Sequence, residues 1–147
     1  MAKYRVAIAG TSEGVIYPGH FAHAEVFHVY DFDGDSGSFA FVEERINPLG
    51  SVPDVDVEGG HRHVVEGAPL RGPEKYEWLR SNVLGDADVV IAADACQTSY
   101  MVFTGKGVRL IFTDAGIPIE DLVAYVEMKS NEFNDILESY FEEEESS

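Results

Sequence analysis

The sequence contains very little cysteine and has no long apolar run. Cys96 is the lone cysteine among 147 residues, which excludes an internal disulfide and favours a reducing compartment. No apolar run approaches the roughly 20 residues of a membrane-spanning helix, and the N-terminus lacks the apolar stretch of a signal peptide. We therefore expect a soluble, cytoplasmic protein.

Positive charge is also scarce. The chain has 10 Lys and Arg residues against 27 Asp and Glu residues, a formal net charge of −17. A field of that sign repels phosphate backbones and anionic membranes, and it favours cations or basic proteins as partners. The acidic run Glu142–Glu145 is typical of a solvated tail.

The length and the 45% apolar content indicate one globular α/β domain with a proper core. A turn cluster at residues 33–37 separates two aromatic-rich segments and predicts an antiparallel hairpin. Helices are predicted between Pro73 and Gly85, from residue 94 to about residue 105, and from Pro118 onward. The predicted strands are residues 4–9, 25–32, 38–46, 88–93 and 108–113.

A last helix is predicted from an amphipathic stripe. Its members have helical spacing and are Phe133, Ile136, Leu137, Tyr140 and Phe141. The stripe could pack on its own domain or on a second subunit, and both remain open. We expect residues 1–128 to form the domain and residues 129–147 to form a C-terminal amphipathic helix with an acidic tail.

Four of the five histidines and the one thiol fall in predicted loops. His20 and His23 follow the first strand, His61 and His63 lie in the Pro- and Gly-rich segment 48–72, and Cys96 follows the fourth strand. If a crossover helix lays the fourth strand parallel to the first, these three loops leave the same edge of the sheet. That edge is a topological switch point, where open α/β sheets form a ligand crevice.

Imidazole and thiolate are good ligands for zinc, iron and copper, and thiolate is the usual ligand of iron–sulfur clusters. Asp94–Gln97 resembles a capping box, which would place Cys96 in the first turn of a helix, where the dipole favours thiolate. The simpler interpretation is that these are ordinary loop histidines and a small buried cysteine.

Several segments, taken in order, resemble one known family. They are Val6–Ala9, Gly19–Phe27 with its Gly-His-Phe motif, Asn47-Pro48, the Gly-His at 59–61, Asp88–Ala92, Gly107-Val108 and Ile119–Tyr125. Together they resemble the nitrogenase iron–molybdenum-cofactor biosynthesis family. The resemblance implies a ribonuclease H-like fold: a five-stranded mixed sheet in the order 3-2-1-4-5, with strand 2 antiparallel and helices on both faces. It points to His20, and less directly to His61, as cofactor-binding residues.

The resemblance implies a protein that binds or carries the iron–molybdenum cofactor or an iron–sulfur precursor. We expect a non-enzymatic carrier with His20, His23, His61, His63 and Cys96 as candidate ligands, and metallocluster donors or acceptors as partners. The protein would be a monomer or homodimer. A cofactor-free interaction domain and a small thiol or metal enzyme remain alternatives. A magnesium nuclease is disfavoured, because residues 4–9 contain no carboxylate.

Overall fold

The computed structural model describes residues 3–51 and 72–146. The strands are β1 (Lys3–Gly10), β2 (Val26–Asp33), β3 (Ser38–Ile46), β4 (Val89–Ala92) and β5 (Arg109–Phe112). The α-helices are α1 (Gly72–Asn82), α2 (Gln97–Gly105), α3 (Ile119–Met128) and α4 (Ser130–Ser146), and short 3-10 turns occupy Phe21–His23 and Pro48–Ser51. None of the helices in these ranges is long and apolar enough to cross a membrane.

The five strands form one mixed sheet in the order β3-β2-β1-β4-β5. β2 is antiparallel to both β1 and β3, whereas β4 is parallel to both β1 and β5. The order and directions confirm the expected α/β sheet. The carboxyl ends of β1, β3, β4 and β5 therefore lie at one edge, which we call the carboxyl edge.

The β2–β3 hairpin forms at the predicted turn. The N–H of Gly37 donates to the carbonyl oxygen of Asp33 at 2.7 Å, and Asp33 Oδ1 accepts from the N–H of Asp35 at 2.9 Å. Gly37 has a φ of 73°, a left-handed conformation that glycine adopts without steric cost. A register irregularity between Val29 and Tyr30 marks a β-bulge farther along the hairpin.

Helices cover both faces of the sheet because side chains alternate along buried strands. In β1, Ala7 and Ala9 join a core with residues of α1 and α2, while Val6 and Ile8 join a second core with residues of α3 and α4. A strand buried on both faces is expected to be apolar throughout, which explains why residues 6–9 carry no polar side chain.

Helix α4 packs on its own domain. Phe133 and Leu137 are buried in the second core, and Phe133 lies edge-on to Phe32 with ring centroids 4.9 Å apart. Farther along, Phe141 stacks on Tyr4 at 5.3 Å. The predicted stripe is thus mostly internal, although Ile136 is 46% exposed. The backbone is helical through Ser146, so the acidic run that was expected to be a tail continues α4.

Candidate functional site

The loop after β1 is held by an aromatic anchor. Phe21 is fully buried and its ring lies edge-on to Phe103 of α2, with centroids 4.9 Å apart. The segment Phe21–His23 forms a single 3-10 turn, and His20 immediately precedes it. Burial of Phe21 therefore places His20 above the carboxyl edge, beside α2.

The His20 segment contacts the loop after β4 directly. Residues His20 and Asp94 form an isolated parallel bridge, and the N–H of Phe21 donates to the carbonyl oxygen of Asp94 at 2.9 Å. The side chains also approach, with His20 Nε2 3.5 Å from Asp94 Oδ2. His20 is 29% exposed, so its imidazole remains accessible to solvent. These contacts bring the His20 loop within two residues of Cys96.

Cys96 is the N-cap of α2, not a residue of its first turn. Its Sγ accepts from the N–H of Ser99 at 3.4 Å, and the helix begins at Gln97. The predicted capping box, with Asp94 as the N-cap, is therefore wrong. The backbone of Asp94 is bonded to the His20 segment instead, and its carboxylate accepts from the N–H of Ala95. The N-cap position still exposes the sulfur to the positive end of the helix dipole.

Hydroxyl groups surround the Cys96 sulfur. Its Sγ lies 3.1 Å from the Tyr76 hydroxyl and 3.3 Å from Ser99 Oγ. Tyr76 and Ser99 are buried, whereas Cys96 is partly exposed. The Ser99 hydroxyl donates to the carbonyl oxygen of Cys96 at 3.0 Å, so it can accept from the thiol, as can the Tyr76 hydroxyl.

His23 occupies a buried position beside an equally buried lysine. Its Nδ1 lies 3.2 Å from the carbonyl oxygen of Leu49, and its Nε2 lies 3.2 Å from Lys75 Nζ. A carbonyl oxygen can only accept, so the contact assigns the ring proton to Nδ1 and leaves Nε2 to accept from Lys75. Both nitrogens of His23 are thus engaged within the protein, whereas His20 presents its ring to solvent.

Lys75 connects the two halves of the site. Its Nζ lies 4.7 Å from the centroid of the Tyr76 ring, in cation–π geometry. The contacts therefore run without a break from His23 through Lys75 and Tyr76 to Cys96. The sequence patterns do not point to Lys75, Tyr76, Asp94 or Ser99 as site residues. A signal for Lys75 existed, because it lies four residues before buried Leu79 and therefore shares its helix face.

Asn47 fixes the backbone under the site. Its Nδ2 donates to the carbonyl oxygens of Ala22 and Ala24 at 2.9 and 2.8 Å, and its Oδ1 accepts from the N–H of Leu49 at 3.1 Å. The side chain is buried. One amide thus joins the segment after β3 to the segment after β1.

The predicted site residues have different outcomes. His20 contacts Asp94, two residues before Cys96, and His23 is linked to Cys96 through Lys75 and Tyr76. His61 and His63, with most of segment 48–72, lie outside the residues that the structure describes. Within residues 3–51 and 72–146, no three His, Cys, Asp or Glu side chains are grouped to hold a metal ion.

A known protein family matches most of the chain. The family model described as "dinitrogenase iron-molybdenum cofactor" matches residues 2–129, nearly the whole chain apart from α4. The chain belongs to this family. The family is a cofactor-related one and not a known catalytic one, which agrees with the resemblance found in the sequence.

A solved structure is also similar to the chain. It is the NMR structure of a Thermotoga protein provisionally described as a NifB protein of the DUF35 family. It is 23% identical and has a TM-score of 0.44, with 84% of this chain and 88% of that chain covered. No curated protein sequence matches the chain.

Proposed function

We propose that this protein binds and carries an iron–sulfur cluster or an iron–molybdenum-cofactor-like cluster, without catalysing a reaction. The observation that carries the proposal is the backbone contact between the His20 segment and Asp94. Through this contact, the accessible imidazole of His20 lies beside the loop that carries Cys96, whose thiol caps α2. Membership of the cofactor family supports the same conclusion from the sequence side.

Cys96 and His20 are the proposed ligands in the described part of the chain. Cys96 is partly exposed and its sulfur contacts the hydroxyls of Tyr76 and Ser99, and the ring of His20 reaches solvent. His23 would bind metal only by giving up one of its contacts with Leu49 and Lys75. We therefore propose a structural role for His23 in preference to a ligand role. His61 and His63 remain candidate ligands from the adjoining segment.

The proposed role is that of a carrier, which has to release its cluster again. Metallocluster donor and acceptor proteins are the partners that this role requires. We also propose a cytoplasmic location, no nucleic-acid or membrane partner, and the ribonuclease H-like class for this sheet, which the order 3-2-1-4-5 supports.

A cofactor-free interaction domain is the alternative. It is supported by the lack of a three-ligand group within residues 3–51 and 72–146, and by the engagement of both His23 nitrogens. In that case His20, Asp94 and Cys96 would form a rigid surface for a partner protein. The two functions differ in one measurable property, which is retention of a metal cluster.

Anaerobic titration with an iron–sulfur cluster or with Fe²⁺ separates these functions. We expect Cys96→Ser and His20→Ala each to weaken binding by about 10-fold or more, about 1.4 kcal/mol, because each removes a direct ligand. Lowering the pH should also release the cluster from the unmodified protein, because protons compete for thiolate and imidazole. His61→Ala and His63→Ala in the same titration test the remaining candidates.

His28→Gln is the matched control. His28 lies on β2 and contacts the carbonyl oxygen of Thr11 and the carboxylate of Glu44, away from Cys96. Its replacement should leave cluster binding unchanged, with circular dichroism as the check on folding. Unchanged binding by both ligand variants would refute the site. No binding by the unmodified protein would support the interaction domain instead.

A further inference from the structure

The two edge strands of the sheet differ in how they are protected. β3 carries Glu43, Glu44 and Arg45, and its pairing with β2 contains a bulge. Charged side chains and bulges are the usual devices that prevent an edge strand from pairing with another chain. β5 has the sequence Arg-Leu-Ile-Phe and carries neither device beyond its first residue. Of the two edge strands in the described part of the chain, β5 is therefore the one less protected by charge and bulges against strand addition.

The backbone of β5 offers hydrogen-bonding groups on its outer side. The N–H of Arg109 donates to Asp88 and that of Thr113 donates to Ala92, so these residues face β4. Because successive residues of a strand alternate in direction, Leu110 and Phe112 direct their N–H and C=O groups outward. No strand in the described part of the chain pairs with that side.

Exposed apolar side chains border this edge. Phe112 is 49% exposed and stacks on Tyr100 of α2 at 6.4 Å. Met101 and Tyr125 are exposed nearby, at 61% and 59%. Clefts of about 410 Å³ lie at each half of the strand, one between Tyr100 and Tyr140 and the other between Phe112 and Tyr125. Side chains of an added strand would thus meet apolar surface.

The charges at the two ends of β5 are complementary to those of a second copy in antiparallel orientation. Lys106 and Arg109 lie at its start, whereas exposed Asp114 and Asp121 lie near its end. Two copies that pair antiparallel bring the basic end of one strand to the acidic end of the other. Opposite charges across paired strands stabilise the pair, and like charges oppose it. This pattern selects a second copy over an unrelated extended segment.

We propose that β5 pairs antiparallel with β5 of a second copy, related by a two-fold axis at Ile111. Leu110 of each copy then lies opposite Phe112 of the other, and each such pair exchanges both backbone hydrogen bonds. The two sheets become one continuous sheet, and each copy keeps its carboxyl edge. The strand is short, so the dimer is weak, with a dissociation constant on the order of 10 µM.

The net charge of −17 makes this association depend on salt in a diagnostic way. Long-range repulsion between the two copies is screened at moderate ionic strength, while the backbone bonds and apolar contacts are not. The dimer should therefore strengthen when salt is raised from a low value. An interface held chiefly by ion pairs would weaken instead.

Sedimentation equilibrium of the full chain across the micromolar range tests the proposal. Phe112→Asp should abolish the dimer, because it places a carboxylate opposite the apolar Leu110 of the other copy in both halves of the interface. Phe41→Asp is the matched control, since Phe41 is a similarly exposed aromatic residue (58%) on the other edge strand. Its replacement should leave the dimer unchanged, with circular dichroism as the folding check.

A charge exchange tests the orientation. Lys106→Glu and Asp114→Lys should each weaken self-association by about 10-fold, since each creates like-charge contacts at both ends of the interface. An equimolar mixture of the two variants should recover association, because the opposite charges then face each other. A protein that stays monomeric at all concentrations overturns the proposal. A dimer whose affinity is changed by neither charge exchange overturns it as well. A monomer that binds an added extended peptide at β5 would also overturn it.

Discussion

The N–H of Phe21 lies 2.9 Å from the carbonyl oxygen of Asp94, to which it donates. These residues are far apart in the chain, yet this bond joins the loop after β1 to the loop after β4. His20 directly precedes Phe21, and Cys96 lies two residues after Asp94. The geometry of the candidate site thus depends on a backbone contact between the segments that follow the parallel strands β1 and β4, and on the buried Phe21 ring that packs beside it.

Asn47→Ala should lower the free energy of unfolding by about 2–3 kcal/mol. The change leaves the buried carbonyl oxygens of Ala22 and Ala24 without this donor, and unsatisfied buried groups are costly. Urea denaturation measures the loss. Asn47→Asp keeps the acceptor for Leu49 but places a buried carboxylate oxygen against the two carbonyl oxygens, so it should be at least as destabilising. A loss below about 0.5 kcal/mol for both variants would show that the side chain is dispensable.

Lys75→Ala should destabilise the fold more than Lys75→Met. Both changes remove the donor to His23 Nε2, but methionine retains much of the apolar stem that is fully buried in α1. We expect a loss of about 1–3 kcal/mol for Lys75→Ala, as for other broken buried hydrogen bonds. Thermal unfolding gives the order of the two variants. Equal stability of all three proteins would mean that the Lys75–His23 contact contributes nothing.

Asp86 should make the protein sensitive to acid. Hydrogen bonds from Arg45, and then from Arg5, hold the pKa of the Asp86 carboxyl well below its ordinary value of 3.8. A carboxyl with a lowered pKa stabilises the fold above its unfolded-state pKa, and that contribution is lost as the pH falls below about 4. Asp86 is 43% exposed, so solvent screening limits the contribution to about 1 kcal/mol.

Denaturation at several pH values tests this dependence. Asp86→Asn should be less stable than the unmodified protein at pH 7, and the difference should shrink as the pH falls below 4. Asp35→Asn, at an exposed position in the hairpin turn, is the control and should show no such change. A stability difference that stays constant down to pH 2 would contradict the assignment.

Truncation separates the two parts of α4. Removing residues 142–147 should leave the melting temperature nearly unchanged, because the change retains the stack of Phe141 on Tyr4. Removing residues 130–147 also deletes buried Phe133 and Leu137, each worth about 1.5–3 kcal/mol of apolar burial. We expect the chain without residues 130–147 to unfold or aggregate. A stable, monomeric chain of residues 1–129 would show instead that the family-matched residues fold without α4.

Local patterns in the sequence were enough for most of the fold. The turn at Asp33–Gly37 predicts the hairpin, and the apolar run of β1 predicts a strand buried on both faces. Parallel pairing of β1 with β4 then follows from the crossover through α1. The periodicity of apolar residues and the residues that form a turn depend on positions close together in the chain, so both can be identified without knowing the rest of the sequence.

Within the site, the sequence by itself determined that the loops carrying His20 and Cys96 leave the same sheet edge. Only the tertiary structure decided that Cys96 is an N-cap, that His23 is engaged by Leu49 and that Lys75 is buried. Lys75 meets His23 across 52 positions of sequence, and Cys96 meets Tyr76 across 20. Contacts at such separations depend on how helices pack on the sheet, which a local pattern does not encode.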